Sequence, residues 1–358
     1  MRNNKISYWY ISAIVIALSL SIAFVSTYAV PAFSAERGYL KEFNYGNVEN
    51  LSNGTTVRNF SLLVEENTLV PITESNDSMD TVYFPGWTFN GTIPGPTMRM
   101  TEGDHVFVNV TNSPDSKMHH SLHMHSIHSP SMDGMFGKSG DIAPGESFVY
   151  QFIANPVGLF PYHCHVAPVV DHINRGLYGA MIIDPKEPRP PANEMVMLMN
   201  SYDLDLNKEM MPSFEVPNTE QANQLMYPDP ELTPEEQEEA RPELELERDN
   251  EFYTINGKAF TFMMDPIKVK VGEPVRIYLL SMTEFDPVNS FHLHSDMFNY
   301  TASGTESTPP IYTDIVTLGQ GDRGIIEFTP HFKGQMMIHA HINEFTDLGW
   351  FGIIQAEE

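Results

Sequence analysis

The sequence predicts an all-β protein made of two sandwich or barrel domains. Short apolar runs rich in Val, Ile, Phe and Tyr alternate with Gly, Pro, Asn and Asp turns from Asn59 to Asp184 and again from Phe252 to Gln355. No long segment has the spacing of an amphipathic helix, and such runs between turn residues are typical of antiparallel strands. A chain of 358 residues with 41% hydrophobic content is long enough for two domains with separate cores.

The second half of the chain repeats the first, which indicates two copies of one domain. Phe89-Asn90-Gly91 corresponds to Ile255-Asn256-Gly257, and Glu102-Gly103-Asp104 corresponds to Val271-Gly272-Glu273. Each half then carries one histidine cluster at the end of a predicted strand and a second cluster tens of residues later. We therefore predict an N-terminal segment over 1–35, a first domain over 36–185, a linker over 186–250 and a second domain over 251–358.

The N-terminal segment has the features of an export signal. Arg2 and Lys5 make its start basic, an apolar run extends from about Ile11 to Val30, and small residues follow up to Ala35. We expect an exported protein in an extracellular or periplasmic-like space, or on the outer face of the cell membrane. Because the apolar run is long enough to span a bilayer, an uncleaved membrane anchor is the alternative.

The predicted linker combines repeated prolines with an acidic stretch from Asp229 to Glu239, which cannot build a core. The whole chain has 20 Lys and Arg against 47 Asp and Glu, giving a net charge of -27. This charge repels phosphate backbones, so we expect no nucleic-acid partner.

Cys164 is the single cysteine and cannot form a disulfide within its own chain. Most lone cysteines are small buried hydrophobic residues, but this one lies in the sequence His163-Cys164-His165. Of the 14 histidines, four fit ordinary surface or core roles. These four are His105, His119, His128 and His331.

The other histidines form a repeated pattern of His-x-His pairs. Residues two apart on a strand project from the same face, so each pair can present two imidazoles to one metal region. The first half contains His120, His123, His125, His163, His165 and His172. The second half contains His292, His294, His339 and His341.

One mononuclear copper site is predicted in the first half. Imidazole and thiolate ligands select copper, and two His, one Cys and a weak axial position form a blue-copper site. His120, Cys164 and His172 supply the strong ligands, and Leu177 stands at the axial place. Because leucine cannot coordinate, we expect three-coordinate copper with a higher potential than in a Met-ligated relative. Zinc accepts His and Cys but does not explain the further histidine pairs.

The sequence resembles the multicopper oxidase family, specifically its two-domain, laccase-like members built from Greek-key cupredoxin domains. His120 to His125 match the family's His-Pro-x-His-x-His motif, and His163 to His165 match its His-Cys-His motif. Pro94-Gly95-Pro96 and Glu102-Gly103-Asp104 match its turn and the loop after it. The resemblance extends from about Phe84 through Ile354.

The resemblance implies four coppers per chain: one type 1, one type 2 and two type 3. His123 and His292 would hold the type 2 copper. The ligands of the type 3 pair would be His125, His163, His165, His294, His339 and His341. Cys164, flanked by His163 and His165, would join the blue site to this cluster.

The second half lacks the residues for a blue site. It has Asn289, Ala340, Phe345 and Trp350 where the first half has the three copper ligands and the axial leucine. The family's two-domain members with the blue site in the first domain form homotrimers, with the clusters between neighbouring subunits. We expect the same assembly here.

The implied activity is one-electron oxidation of a donor, coupled to four-electron reduction of dioxygen to water. The donor is a small molecule or a blue-copper protein that approaches His172 or His120. Asp133 and Glu344 are candidate proton donors to the cluster, and the alternative for each is an ordinary turn or surface acid.

Three other functions fit parts of the pattern. Copper nitrite reductases have the same architecture but carry Asp where His123 stands and lack the counterpart of His165. An electron carrier would need only the blue site. A cuprous-ion metallo-oxidase would use soft sulfur ligands, and four methionines lie near the first motif. These are Met118, Met124, Met132 and Met135.

Overall fold

A computed structural model describes residues 40–73, 81–204, 249–305 and 308–358. The predicted export segment over 1–35 and most of the predicted linker, including its acidic stretch, lie outside these residues. Within the described ranges, no helix combines the length and apolar character needed to cross a membrane.

The first half forms two packed sheets. In its described residues the strands are β1 Asn47–Asn50, β2 Thr56–Pro71, β3 Tyr83–Phe89, β4 Met98–Thr101, β5 His105–Asn112, β6 His123–Met124, β7 Ser147–Ile153, β8 Gly158–His163 and β9 Tyr178–Asp184. One sheet has the order β1-β2-β5-β7 with β3 paired to β2, and the other has the order β4-β9-β8-β6. Buried and exposed residues alternate along β5, as expected for a strand with one face on the core. Helix α1 spans Val169–Asn174, and short 3-10 turns span Pro130–Met132 and Gly137–Gly140.

The second half also forms two sheets. In its described residues the strands are β10 Asn193–Tyr202, β11 Phe252–Ile255, β12 Ile267–Lys270, β13 Val275–Ser281, β14 Asn289–Leu293, β15 Phe298–Ala302, β16 Ile311–Thr313, β17 Ile315–Leu318, β18 Arg323–Phe328, β19 Gly334–His339 and β20 Phe351–Glu357. The sheet orders are β11-β10-β13-β18-β15-β16 and β12-β20-β19-β14-β17. The short helices are α2 Thr261–Met264 and α3 Asn343–Asp347.

The two halves share one strand topology. The parallel pair β2 and β5 corresponds to the parallel pair β10 and β13. Val64 of β2 lies opposite Phe89, and Met199 of β10 lies opposite Ile255, so the residue before each repeated Asn-Gly turn has an equivalent partner. The all-β prediction is thereby confirmed.

The structure differs from the predicted linker in one respect. Residues 193–202, inside the range 186–250, form the strand β10, and eight of its ten residues are buried. The prolines and acidic residues of this range are typical of a linker, whereas the apolar run from Met195 to Met199 forms part of a buried strand. The other domain boundaries stay predictions.

An apolar core lies between the two halves. Phe84, Leu159 and Ile182 from the first half are grouped there with Leu198 and Tyr278 from the second, and each is at most 1% exposed. The described residues of both halves accordingly belong to one compact unit.

Ion pairs at the edge of this core link the halves further. The guanidinium of Arg99 on β4 donates to Asp184 at 2.6 Å and to Glu194 of β10 at 2.7 Å. Burial raises the pKa of Glu194, but the hydrogen bonds from Arg99 and Arg276 outweigh it and lower the pKa to about 2. These buried charges are therefore paired, as burial requires.

Leu198→Ala should lower the free energy of unfolding by about 2–5 kcal/mol, because it leaves a cavity in the core between the halves. Urea unfolding of the full chain measures this loss. Leu69→Ala is the matched control, since Leu69 is 66% exposed, and we expect a change within about 0.5 kcal/mol. Equal effects of the two substitutions would contradict the position of β10 in the core.

Candidate metal centres

The residues predicted for the mononuclear site come from four segments of the first half. His120 lies before β6, Cys164 follows β8, His172 lies on α1 and Leu177 precedes β9. All four are fully buried. The backbone N–H of Cys164 donates to the Leu177 carbonyl at 2.9 Å, which holds the cysteine beside the segment that carries His172.

The ligand atoms converge on one point. Cys164 Sγ lies 3.1 Å from Nδ1 of His172 and 3.8 Å from Nδ1 of His120. The three residues each offer an atom within 4.8 Å of the other two. One sulfur and two imidazole nitrogens are the donor set of a blue-copper site, so these residues fit a copper ion. Leu177 adds apolar surface and no ligand atom.

The surroundings of Cys164 favour its thiolate form. Burial raises the pKa of the thiol, but the charge and hydrogen bond of His172 and the hydrogen bond of His120 outweigh it and hold the pKa well below its ordinary value. The backbone N–H of Ser121 also donates to the sulfur at 3.4 Å. Because the thiolate is the metal-binding form of cysteine, the chain itself prepares this ligand.

Trp87 is not among the predicted residues and forms one wall of the mononuclear site. Its ring meets those of His120 and His172 edge to face, with centroids 5.3 and 4.9 Å apart. The guanidinium of Arg175 lies 5.0 Å from the centre of the Trp87 ring. Such an apolar shell limits solvent access and thereby tunes the potential of a bound metal.

The first histidine group consists of His123, His125, His163 and His165. The pairing of β6 with β8 sets His123 opposite His163 and so brings the two His-x-His pairs together. Nε2 of His125 lies 3.1 Å from Nε2 of His163, and the rings of His123 and His165 are 5.2 Å apart.

The second histidine group consists of His292, His294, His339 and His341, and it has the same arrangement. The pairing of β14 with β19 sets His292 opposite His339. Nε2 of His294 lies 3.0 Å from Nε2 of His339, and the rings of His292 and His341 are 5.2 Å apart.

Backbone carbonyls fix the imidazole orientations in both groups. Nδ1 of His123 lies 2.8 Å from the Asp133 carbonyl, and Nδ1 of His292 lies 2.9 Å from the Asp314 carbonyl. Nδ1 of His163 likewise lies 2.9 Å from the carbonyl of the next residue. A carbonyl only accepts, so Nδ1–H donates and Nε2 keeps its lone pair for a metal.

Burial favours the neutral form of His125 and His163 in the first histidine group. Burial and then the charges of neighbouring histidines lower the pKa of His125 to about 3. Burial, reinforced by His123 and His165, lowers the pKa of His163 to about 4 against an opposing backbone hydrogen bond. Neutral imidazole is the form that binds metals, so no proton has to leave at neutral pH.

The two histidine groups do not meet within one chain. Among the described residues, no cluster of close ligand atoms combines residues of the first group with residues of the second. The loop of the second half that approaches His125 carries Gly321, where an added Cβ would lie 3.8 Å from the imidazole. Each group thus holds half of the eight histidines and is partly open at the surface.

The second half fills the place of its missing mononuclear site with apolar side chains. The N–H of Ala340 donates to the Trp350 carbonyl at 3.3 Å, so this pair replaces the cysteine and axial leucine of the first half. Phe345 lies on α3 and stacks on Tyr253 with ring centroids 3.8 Å apart. With Asn289 at the remaining position, neither thiolate nor imidazole is present.

The two predicted proton donors have different surroundings. The carboxylate of Asp133 lies 3.4 Å from Nδ1 of His123, and its side chain is 31% exposed, so it links the first histidine group to solvent. Glu344 is exposed on α3. The α3 group that approaches a histidine ring is instead the Thr346 hydroxyl, 3.4 Å from Nδ1 of His339. The structure therefore brings Asp133, and not Glu344, to a histidine group.

Asp314 is the counterpart of Asp133 in the second histidine group and was not predicted. Its only signal in the sequence is its position before β17, whose first residue, Ile315, pairs with His292. The sequence alone does not give the register between β14 and β17, which brings Asp314 close to His292.

Glu66 and His128 also lie beside the candidate metal sites, which the sequence did not predict. Glu66 lies 3.0 Å from Nε2 of His120, although 54 positions separate them in the sequence. His128, for which the sequence predicted an ordinary role, donates from Nε2 to the Met124 carbonyl at 2.8 Å, and its ring lies 6.2 Å from that of His123.

Comparison with known proteins agrees with this geometry. Residues 72–188 and 232–357 each match a family profile described as multicopper oxidase. The structure is similar to that of a multicopper oxidase, with a TM-score of 0.71 and 37% identity, covering 89% of this chain and 96% of the other. It is also similar to a copper nitrite reductase from Nitrosomonas europaea, with a TM-score of 0.64 and 25% identity, covering 84% and 94% of the two chains.

A copper-containing nitrite reductase from Neisseria meningitidis is 28% identical over 265 residues, which cover 73% of this chain and 61% of that relative. The chain thus spans less than two thirds of the length of this curated relative. The two family profiles together match more than half of the chain, and the protein therefore belongs to the multicopper oxidase family.

Proposed function

We propose that the protein is an oxidase that couples one-electron oxidation of a donor to four-electron reduction of dioxygen to water. The observation that carries this proposal is that the chain has two equivalent histidine groups in addition to the mononuclear site. A pure electron carrier would need neither group. Their eight imidazoles equal the full complement of type 2 and type 3 ligands in this family.

His120, Cys164 and His172 would hold the type 1 copper, and the two histidine groups would hold one type 2 and two type 3 coppers, four per chain. When bound, the coppers supply the one-electron redox chemistry and the site of oxygen reduction. The chain supplies covalent continuity, because Cys164 is bonded to both His163 and His165. Leu177 would add apolar surface and no ligand atom to the type 1 site.

Formation of water from dioxygen consumes protons, and Asp133 lies where it can hold one beside the first histidine group. Asp314 has the equivalent position in the second group, with its carboxylate 3.9 Å from Nδ1 of His292 and 51% exposed. Both carboxylates approach Nδ1, the nitrogen that donates to a backbone carbonyl, and their partial exposure lets them exchange protons with solvent. Glu344 would have to act through solvent.

We further propose a homotrimer in which the first histidine group of one subunit faces the second group of the next. Large apolar side chains are exposed beside both groups, and such patches are typical of interfaces. Ile127 and Phe136, near the first group in sequence, are 63% and 64% exposed. Tyr312 and Phe332, 62% and 76% exposed, line the same surface hollow as His292.

The burial of the mononuclear site determines how an electron donor can reach it. Both imidazoles of the mononuclear site are fully buried, so the donor meets the surface of the first half and transfers electrons through its shell. The donor is a small molecule or a blue-copper protein.

We also propose that the protein is exported, because its first 35 residues have the features of an export signal.

Copper nitrite reduction is the second candidate, because two of the similar proteins above are copper nitrite reductases. The ligand set favours the oxidase. The nitrite reductase family carries Asp at the position of His123 and lacks the counterpart of His165, since its one catalytic copper needs three histidines. Both of these histidines are present here.

Oxidation of cuprous ions is a variant of the proposed oxidase. Of the methionines predicted near the first motif, Met124 is fully buried in the core of the first half. Met135 is 38% exposed and remains accessible to an external ion. Oxidation of cuprous ions would therefore rely on only some of the four predicted methionines.

Cys164→Ser should remove the intense visible absorbance and donor-driven oxygen uptake while the histidine-bound coppers stay. We expect about four coppers per chain in the loaded wild type and about three in the variant, since the thiolate belongs to one site only. Copper analysis, visible spectra and oxygen uptake test this. His105→Ala, at an exposed histidine on β5 outside both groups, should behave as wild type. Retained blue absorbance in Cys164→Ser would contradict the assignment, and two coppers per chain with nitrite turnover would support the reductase.

A subunit-mixing experiment tests the shared site. His125→Ala and His294→Ala each destroy one histidine group, so each variant alone should have no oxidase activity. Co-expressed in equal amounts, they should recover about a quarter of the wild-type rate, because that fraction of interfaces combines two intact groups. Recovery is impossible if each chain builds its cluster alone, and an inactive mixture that still forms mixed trimers would refute the proposal.

A further inference from the structure

We propose that Glu66 is a positioning residue for the mononuclear site: its carboxylate orients His120 and lowers the reduction potential of a copper bound there. This inference rests on the proposed function, because it concerns the type 1 copper of that function. Glu66 is not one of the copper ligands of that function, and it lies on β2, a strand distant in sequence from those ligands.

Glu66 reaches His120 on the side away from the sulfur. Its Oε1 lies 3.0 Å from Nε2 of His120, whose Nδ1 faces Cys164. The side chains of His120 and Glu66 are 0% and 5% exposed, so the contact is shielded from water. A carboxylate at Nε2 accepts the N–H there, which keeps Nδ1 unprotonated and directed at the metal position.

The carboxylate also binds the segment that leads into His120. The backbone N–H of Met118 donates to it at 2.9 Å, and the N–H of Lys117 donates at 3.1 Å. Two backbone donors and one imidazole thus converge on a single buried carboxylate. It fixes both the position of this segment and the orientation of the ring.

The strand that carries Glu66 is irregular at this point. The register between β2 and β3 shifts between Glu65 and Thr68, and Asn67 has a φ of 57°. Asparagine tolerates this left-handed conformation better than most residues. Bulges re-aim side chains and occur often beside active sites, so the irregularity accounts for the inward direction of Glu66.

The second half provides an internal comparison. Val64 and Met199 are equivalent, because each lies opposite the residue before the repeated Asn-Gly turn. Two positions further along are Glu66 in the first half and Ser201 in the second. The half that keeps the mononuclear site has a carboxylate at this position, and the half that has lost the site does not.

The sign of the effect follows from charge. A negative group beside an imidazole ligand stabilises Cu(II) more than Cu(I), since the oxidised ion carries the larger positive charge. Arg175 also interacts with Glu66, but the carboxylate is the member of this pair that contacts the ligand. Glu66 therefore opposes the rise in potential expected from the missing axial ligand at Leu177.

Glu66→Gln tests the charge while keeping the side-chain size and an oxygen that accepts the His120 N–H. In the copper-loaded full chain we expect about a tenfold shift of the type 1 copper equilibrium toward Cu(I), equal to a rise of about 59 mV. Redox titration of the blue absorbance measures it. Glu65→Gln removes the same charge one residue earlier and should leave the potential unchanged.

The outcomes separate this inference from the proposed function. A wild-type protein without blue copper would refute the function itself. A blue wild type whose potential is unaltered in Glu66→Gln would refute only the role of Glu66. If Glu66→Gln binds no type 1 copper, Glu66→Asp decides: restored colour supports the role of the charge, and continued loss overturns it.

Discussion

The pairing of β6 with β8 is the constraint on which both kinds of candidate metal site depend. Because His123 lies opposite His163, the first histidine group forms at this edge and Cys164 follows directly. Side chains alternate along a strand, so the cysteine projects away from the histidine group and into the buried mononuclear site. A slip of one residue would exchange these directions. The second half keeps the same pairing at His292 and His339 without a thiolate.

The two kinds of site prepare their ligands by opposite electrostatic means. In the mononuclear site, the histidines outweigh burial and favour an anionic Cys164. In the first histidine group, burial and mutual repulsion lower the pKa of His125 and His163 and favour neutral rings. Copper binding needs both a thiolate and neutral imidazoles. The fold therefore provides one environment that favours an anionic sulfur and another that favours neutral imidazoles. The peptide bond between His163 and Cys164 joins the two.

Much of the fold and the clustering of the histidines around Cys164 could be predicted, because both are encoded in short local patterns. Alternating apolar runs predict strands, and His-x-His places two imidazoles on one strand face. Glu66 escaped prediction because its contact with His120 depends on a bulge in a distant strand. Glu344 is close to the last histidine cluster in sequence, whereas α3 leaves its side chain exposed. Asp314 depends on strand register, which a local pattern does not contain.

Strand β10 also changes the role of the acidic segment. The last residue of β10, Tyr202, pairs with the first residue of β11, Phe252, so the chain leaves and re-enters the sheet at neighbouring positions. The two halves are joined instead by the short stretch 185–192. The acidic segment is thus an insertion between paired strands, and the entropic cost of closing such an insertion grows only slowly with its length. Changes in its length or charge are therefore compatible with the strand pairings that position the two histidine groups.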